Sequence, residues 1–291
     1  MEAEANSSPI NLQVAAKLRE MADLLHYQGA NPFRVSAYRR AADTVSTLSA
    51  DVDAVLDEKG LEGLTALSGI GEGIASAIEE LVRTGRWGQL ERMRGTIDPE
   101  EVLQAVPGIG PKMARRLHDE LHIDTLEGLE AAARDGRLQK VKGVGAGRAA
   151  MIQASLAMML NRPRRRPRSN QPTPPADIVL DVDRQYRSMA EAGELQKIAP
   201  RRFNPAGEAW LPIMHAQHGD WHCTALYSNT ARAHDLGKVK DWVVVYCHTD
   251  NEPEQQFTVV TESRGDLAGK RVIRGRENEC RAYYAAEKTR A

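Results

Sequence analysis

Apolar residues recur at helical spacing through the first 160 residues of this chain, and polar residues, glycine or proline separate the runs. The pattern predicts one helix that ends at Gly60 and another that begins with Asp98 as its cap and Pro99 at its first position. In full, the predicted helices of this half cover residues 11–29, 32–48, 51–59, 78–84, 87–93 and from 99 onward. No strand pattern occurs before residue 160.

The pattern changes after a helix predicted over 177–192. Short β-branched runs predict strands, with turns at Gln217-His218-Gly219-Asp220 and Asn251-Glu252-Pro253. The strands are expected over 209–215, 221–227, 242–247, 257–261 and 271–273. The fold class is therefore α+β, with an all-α amino-terminal half and a small, mostly-β carboxy-terminal domain.

One short pattern occurs three times in the helical half. The copies are Leu67–Gly71 (hairpin 1), Val106–Gly110 (hairpin 2) and Val141–Gly145 (hairpin 3). Each is preceded by a leucine and followed by apolar residues at helical spacing, which is the helix-hairpin-helix pattern. A single Gly-x-Gly is usually just a turn or a helix end, but the leading glycines recur at spacings of 39 and 35 residues. This repetition favours one supersecondary unit used three times.

The chemistry of such a hairpin favours anions. The second helix begins with unpaired backbone N–H groups at its positive end, and these groups form a small phosphate site. Three such sites in one chain indicate a polyanion with repeating phosphates, and DNA is the first candidate. The residues expected to face DNA at the hairpins are Gly69, Gly71, Gly73, Gly108, Gly110, Lys112, Met113, Gly143, Gly145, Gly147 and Arg148.

The distribution of charge restricts how DNA would be held. The 291 residues carry a net charge of -1, made up of -5 in residues 1–160, +5 in residues 161–176 and -1 in residues 177–291. An acidic amino-terminal half argues against tight non-specific coating of DNA, whereas contacts through backbone amides tolerate that acidity. Residues 161–176 form a basic, Pro-rich linker whose arginines either contact phosphates or only keep it soluble and extended.

Cysteine usage and hydropathy point to the cytoplasm. Cys223, Cys247 and Cys280 form no CxxC pair, so neither a structural zinc site nor a disulfide framework is expected. The sequence has neither an apolar run long enough to span a membrane nor a secretory signal at its start. We therefore expect a cytoplasmic, nucleoid-associated protein with no membrane partner.

Residues 11–160 resemble the front of family X DNA polymerases, especially the bacterial kind. The segments that carry the resemblance are Asn31–Ala42, Gly69–Ala75, Thr84–Arg86, Val106–Lys112, Asp124–Leu129 and Gly136–Leu138. The resemblance divides the chain into a small DNA-binding domain over 10–95, a tandem helix-hairpin-helix domain over 96–160, the linker, and a domain of unknown role over 177–291.

The resemblance also assigns roles to residues. It implies that Arg34, Tyr38 and Arg39 hold the 5′-phosphate of a gap, although Tyr38 also suits a packed helix and Arg39 a solvated face. It implies a monovalent cation, K⁺ or Na⁺, that bridges hairpin carbonyls to a phosphate. Those carbonyls belong to Thr65, Leu67, Ile70, Gln104, Val106 and Ile109.

Two departures argue against the family's catalytic activities. Ala77 stands where animal members carry the lyase lysine, so no amine is placed for a Schiff base. The Gly-Ser pair that opens a polymerase palm does not occur, and the aspartates of Asp181-Val182-Asp183 lie in a helical pattern. We therefore expect neither lyase nor polymerase activity, and the chain is more consistent with a binding protein than with an enzyme.

The carboxy-terminal domain offers two weaker motifs. The first is a cluster of potential metal ligands, which is better explained as exposed hairpin histidines; it comprises His215, His218, His222, Cys223 and His234. The second is a nuclease-like arrangement in which Asp241 precedes one strand and Glu262-Ser263-Arg264 ends the next, with Arg in place of the usual Lys. The arginines between 264 and 281 either form a second nucleic-acid surface or are balanced by Glu277 and Glu279.

The leading hypothesis is a non-catalytic, sequence-independent DNA-binding protein that favours gapped, nicked or 5′-phosphorylated DNA and acts in DNA repair. The alternative is a nuclease or nucleotidyltransferase relative with its active site in 177–291, which would need a divalent metal such as Mg²⁺, Mn²⁺ or Zn²⁺. A third hypothesis is that the β-rich domain recruits a repair protein.

Overall fold

The computed structural model describes residues 8–96, 99–121, 123, 126–159, 172–249 and 252–290. Two compact units make up this part of the chain. The first contains the described residues up to 159, and the second contains 172–249 and 254–290. Asp98, Asp124, Thr125 and the linker up to residue 171 lie outside the described residues.

The first unit is helical, and its described residues contain no strand. Its helices are α1 Pro9–Tyr27, α2 Pro32–Ser46, α3 Val52–Thr65, α4 Glu72–Thr84, α5 Gly88–Arg94, α6 Pro99–Gln104, α7 Pro111–Leu121, α8 Leu126–Arg134 and α9 Ala146–Met159, with a 3-10 helix over Arg137–Lys140.

Local chemistry explains where these helices begin and bend. The side chain of Asn31 caps α2 by accepting the amide of Phe33 at 2.8 Å, and Pro32 takes the first helical position. The prediction that a helix ends at Gly60 is confirmed, because Gly60 has the non-helical angles φ 62° and ψ -155°, and a second helical segment of α3 continues from there to Thr65. The continuation delivers the chain directly to hairpin 1.

The apolar residues of hairpins 2 and 3 share one core. Val106 and Ile109 of hairpin 2 are buried together with Val141 and Val144 of hairpin 3, along with leucines from the helices around them. Burying these side chains stabilises both hairpins, at about 1.5–3 kcal/mol for each large one. The apolar positions of the motif therefore fix the backbone and leave the glycines between them at the surface.

The second unit combines three helices with a six-stranded sheet in the order β1-β2-β3-β4-β5-β6. The pairs β1–β2, β2–β3, β3–β4 and β5–β6 are antiparallel. Its elements are α10 Ala176–Ala192, β1 Lys197–Ile198, β2 Leu211–His218, β3 Trp221–Tyr227, α11 Ala231–Asp235, β4 Val243–Thr249, β5 Glu252–Thr261, β6 Arg271–Ile273 and α12 Glu277–Arg290, with a 3-10 helix over Gly265–Leu267. The α+β class predicted from the sequence is confirmed.

Both predicted turns of the sheet include residues that belong to strands in the structure. β2 runs to His218, so Gly219 and Asp220 alone make the turn to β3, with Gly219 at a φ of 59°. Glu252 and Pro253 begin β5 instead of forming a turn, because a proline is tolerated at the start of a strand.

Two contacts fasten α10 to the sheet. The buried hydroxyl of Tyr186 donates to the carbonyl of Pro212 at 3.0 Å and accepts the amide of Tyr227 at 2.8 Å. The guanidinium of Arg271 binds both carboxylate oxygens of the fully buried Asp183, at 2.7 and 2.9 Å. Asp183 therefore lies on a helix and pairs with Arg271 of β6. It does not occupy the strand position of a polymerase aspartate.

Candidate nucleic-acid interface

The three hairpins have the same backbone. Their leading glycines, Gly69, Gly108 and Gly143, have φ values of 76°, 90° and 92°, which side chains other than glycine rarely adopt. In each hairpin the amide after this glycine donates to the carbonyl three residues earlier, at 3.2, 3.1 and 3.0 Å respectively. The repeat seen in the sequence is therefore a repeat in structure.

Each hairpin presents unpaired amides at the start of a helix. The N–H groups of Gly71, Gly110 and Gly145 donate no hydrogen bond within the part of the chain that the structure describes. They lie at the positive ends of α4, α7 and α9. A Cβ placed on Gly110 or Gly145 would meet no atom within 4 Å, and the same holds for Gly73 and Gly147. An anion can therefore approach the amides closely.

The carbonyls predicted to hold a cation are largely unused. The oxygens of Thr65, Ile70, Gln104 and Ile109 accept no hydrogen bond from the described residues. Those of Leu67 and Val106 each accept one, which leaves a second lone pair. Three neutral oxygens at each of hairpins 1 and 2 form a donor set that fits a hard monovalent cation.

Hairpin 1 is supported by α2. The hydroxyl of Thr44 donates to the carbonyl of Ser68 at 2.8 Å, and the Cβ of Arg40 lies 3.5 Å from where a Cβ on Gly69 would be. Arg40 is exposed and forms no ion pair with the described residues. Sequence reasoning missed Arg40 because only the packing of α2 brings it to the hairpin, although it follows Arg39 in the motif.

Hairpins 2 and 3 support each other. The methyl group of Met151 on α9 occupies the space that a Cβ on Gly108 would need. Nη1 of Arg116 on α7 lies 3.4 Å from the corresponding position on Gly143, with the Met113 methyl group at 3.7 Å. Nη1 of Arg148 donates to the carbonyl of Gly143 at 2.8 Å. Met113 and Arg148 thus lie at hairpin 3, and Arg116 joins them there without having been predicted.

The three residues expected to hold a 5′-phosphate have different environments. Arg34 is 7% exposed, and its Nε and Nη2 have no hydrogen-bond partner among the described residues. Tyr38 is buried on the same face of α2, and its hydroxyl donates to Oε1 of Gln89 at 3.2 Å. Arg39 is exposed and pairs with Asp23 at 3.5 Å. A buried guanidinium without a counter-charge lowers the stability of the folded state. Of the three residues, Arg34 is therefore the one that a bound anion would stabilise most.

The histidines of the β-rich unit do not converge. His215 lies opposite Thr224, with Nδ1 3.0 Å from its hydroxyl, and His222 lies opposite His248. His218, expected in the turn, ends β2, and His234 lies on α11. Across the described ranges, no group of three or more His, Cys, Asp or Glu side chains is placed to hold a metal ion.

The two carboxylates of the nuclease-like motif are engaged in the fold. Oδ1 of Asp241 accepts the Thr261 hydroxyl at 2.6 Å and Nη1 of Arg271 at 2.8 Å. Burial alone would raise the pKa of Asp241, but the Thr261 hydrogen bonds and the Arg271 charge outweigh it and lower the pKa. Glu262 accepts the amides of Ser263 and Arg264, at 2.7 and 3.2 Å, which lowers its pKa.

Comparison with known proteins agrees with this geometry. A family model described as a helix-hairpin-helix domain matches residues 9–87, and one described as a SAM-like helix-hairpin-helix tandem matches residues 100–157. The chain is 33% identical over 152 residues to the DNA polymerase/3′-5′ exonuclease PolX of Bacillus subtilis (strain 168), a match that covers 52% of this chain and 25% of that protein. The chain thus spans about a quarter of the length of this relative. The predicted resemblance of the helical half to family X polymerases is confirmed.

Among the described helices, none combines the length and the apolar character that crossing a lipid bilayer requires.

Proposed function

We propose that this chain binds DNA through the sugar-phosphate backbone, independently of sequence, with a preference for gaps or nicks that carry a 5′-phosphate, and that it acts in DNA repair. The proposal depends mainly on one observation: unpaired amides occur at the amino-terminal starts of three helices, α4, α7 and α9. Amides at helix starts bind phosphate without reading bases. The similarity to a protein named as a DNA polymerase supports DNA as the polyanion.

The preference for a 5′-phosphate rests on Arg34. A terminal phosphate carries more charge than an internal diester and is the stronger partner for a guanidinium. Phe33, next to Arg34, is 82% exposed at the start of α2. A strand break exposes the face of a base, and an exposed aromatic ring can stack on it. Arg34 and Phe33 therefore suit the two features that distinguish a break from intact duplex.

A monovalent cation completes the proposal at hairpins 1 and 2. The free carbonyls of Thr65 and Ile70, with Leu67, would hold K⁺ or Na⁺ at hairpin 1, and those of Gln104, Val106 and Ile109 would do so at hairpin 2. A bound cation supplies positive charge that a phosphate oxygen can share. Such a protein would act in the bacterial cytoplasm, at the nucleoid, and its second unit would recruit a repair protein.

The test uses the full chain and fluorescence anisotropy with four labelled DNAs: a gapped duplex with a 5′-phosphate, the same gap without it, an intact duplex and a single strand. We expect the phosphorylated gap to bind most tightly. Arg34→Gln should weaken that binding about tenfold and abolish the effect of the phosphate. The control is Arg19→Gln, an exposed arginine of α1 that pairs with Asp43 at 3.2 Å.

Equal binding of all four DNAs would contradict the preference, and no binding would contradict the function. The same samples, incubated with Mg²⁺ or Mn²⁺ and run on a gel, test the enzyme hypothesis. Cleavage or extension of the DNA would place an active site in residues 177–291.

A further inference from the structure

A half-exposed aromatic cluster lies in the second unit, formed by the loop between β1 and β2 and the segment after β3. We define the aromatic cluster as Phe203, Trp210 and His234. The rings of Phe203 and His234 lie 4.4 Å apart at 36°, and Trp210 meets His234 edge-on at 6.4 Å. Phe203 is 47% exposed, so part of its ring remains accessible.

Asn229 holds His234 in one orientation. Nδ2 of Asn229 donates to the carbonyl of Arg202 at 3.1 Å, which turns its Oδ1 towards Nε2 of His234 at 2.6 Å. Because Oδ1 can only accept, Nε2 of His234 carries a proton. Nδ1 of His234 makes no hydrogen bond within the described residues and, in the neutral ring, offers a free acceptor.

The backbone under the cluster is strained. Among the described residues other than glycine, Phe203 alone has a positive φ, at 53°. A bulky side chain in this conformation costs free energy, and such strain is concentrated at functional sites. Burial of the ring does not account for it, because nearly half of Phe203 remains exposed. The loop therefore presents an aromatic ring at a conformational cost.

Three arginines lie in the two segments that form the cluster. The guanidinium of Arg202 lies 5.2 Å from the centre of the Phe203 ring. Arg201 and Arg232, in the same two segments, are exposed and form no ion pair with any described residue. Exposed aromatic rings among arginines are the composition that binds single-stranded nucleic acid, in which bases stack and phosphates contact cations.

We propose that the aromatic cluster binds an unpaired nucleobase of single-stranded DNA, with Phe203 as the stacking surface and Arg201 and Arg232 as contacts for the adjacent phosphates. The choice of DNA as the ligand rests on the proposed function. The aromatic cluster lies in the second unit and would bind through aromatic rings and arginines, whereas the hairpins of the first unit would bind through backbone amides. It gives the protein a contact for a flap or an unpaired strand that the hairpins, which hold backbone phosphates, do not provide.

The test compares two labelled DNAs with the full chain: a nicked, 5′-phosphorylated duplex without unpaired bases and a short thymidine single strand. Phe203→Leu keeps an apolar side chain but removes the aromatic face, and it should weaken single-strand binding about tenfold while leaving the nicked duplex unchanged. Phe203→Trp should retain the affinity. The control is Leu236→Ala, because Leu236 is an apolar residue after α11 that is 56% exposed.

A second measurement locates the base directly. A single strand that carries 5-iodouracil should crosslink under ultraviolet light to the peptide containing Phe203 or Trp210. Unchanged single-strand affinity in Phe203→Leu, or crosslinks confined to residues 8–159, would overturn the proposal. If Phe203→Leu lowers the melting temperature, the double variant Arg201→Gln/Arg232→Gln replaces it, and full affinity in that variant would equally overturn the proposal.

The two proposals fail separately. If the nicked duplex does not bind but the single strand binds in a Phe203-dependent way, the hairpin function is wrong and the aromatic cluster stands. If the nicked duplex binds and the single strand does not, the hairpin function stands and the aromatic cluster is rejected.

Discussion

Nη1 of Arg116 donates a hydrogen bond of 2.7 Å to the carbonyl of Lys142, so the helix that follows hairpin 2 holds hairpin 3. The opposite contact is made by Met151, on the helix after hairpin 3, which covers Gly108 of hairpin 2. Each of the two residues lies eight positions after the leading glycine of its own hairpin. Equivalent positions of the two hairpin units therefore make the reciprocal contacts between hairpins 2 and 3, although one side chain is an arginine and the other a methionine.

Arg116→Gln should weaken DNA binding and lower the slope of log affinity against log salt by about 1, because one cation at hairpin 3 is lost. Stability should fall by no more than about 0.5–1.5 kcal/mol, because the exposed Arg116 contributes one hydrogen bond to hairpin 3. The control is the neighbouring Arg115→Gln, whose side chain pairs with Glu100 at 3.3 Å. Anisotropy titrations at several salt concentrations measure both slopes, and equal slopes would contradict a role for Arg116.

The two glycines of hairpin 2 should separate stability from binding. Gly108→Ala should destabilise the protein by about 1–2 kcal/mol, because alanine is strained at a φ of 90° and its Cβ would displace Met151. Gly110→Ala should leave stability nearly unchanged, since its Cβ would meet nothing within 4 Å. The added methyl group should instead keep phosphate from the amide and weaken DNA binding about tenfold.

Urea unfolding and anisotropy on both variants measure these effects. A Gly110→Ala protein with normal affinity would exclude this amide as a phosphate contact.

Arg34→Met should raise the free energy of unfolding by about 1–3 kcal/mol in buffer without phosphate, because it removes a buried charge whose Nε and Nη2 have no hydrogen-bond partner among the described residues. Inorganic phosphate should raise the melting temperature of the wild type and have little effect on the variant, since an anion that binds only the folded state stabilises it. Thermal unfolding with and without phosphate measures both. A destabilised Arg34→Met would indicate that the guanidinium serves the fold.

Arg271→Met should destabilise the second unit by about 3–5 kcal/mol, because Asp183, 1% exposed at its side chain, would lose its counter-charge. Adding Asp183→Leu should restore part of the loss, since an apolar pair carries no buried charge. Arg274→Met is the control, as its partner Glu262 lies at 3.0 Å near the surface and such pairs contribute less than about 1 kcal/mol. Denaturant unfolding followed by circular dichroism provides the measurement.

His234 should make the second unit less stable in mild acid. Burial, together with the nearby charge of Arg202, lowers the pKa of His234 below its ordinary value of 6.5. As pH falls through that ordinary value, the unfolded chain takes up a proton that the folded chain resists, so stability present above about pH 6.5 decreases. Between about pH 7.5 and about pH 5.5, His234→Gln should lose less stability than the wild type. Parallel losses in the two proteins would show that His234 does not contribute.

The hairpins could be predicted because their signal is local. A glycine at positive φ, apolar residues on either side and a helix start all lie within a few residues, and their threefold repetition favoured one repeated unit over chance. For the proposed 5′-phosphate contacts, the sequence did not distinguish among the three candidate residues. The motif marked Arg34, Tyr38 and Arg39 alike. In the structure, Nε and Nη2 of the buried Arg34 have no hydrogen-bond partner among the described residues, Tyr38 binds Gln89, and Arg39 pairs with Asp23.

The β-rich unit was harder because its contacts join distant residues. The strands were predicted from local composition, but β2 extends to His218, and this register places His215 opposite Thr224 and His222 opposite Gln217. Cys223 and Cys247 are separated in sequence, yet they lie opposite each other on β3 and β4 with their sulfur atoms 2.8 Å apart. The aromatic cluster could not be predicted from the sequence. Phe203 contacts His234 because of a loop conformation, and hydrophobic periodicity predicts only helices and strands.

The sequence by itself determined the α+β class, the three hairpins and the glycines that leave their amides open, since backbone geometry and short-range apolar spacing decide these features. Only the tertiary structure placed Arg40 beside hairpin 1, Arg116 beside hairpin 3 and Arg271 against Asp183. A side chain's partner depends on which elements pack together, and that packing is set by the summed burial of many residues across the chain.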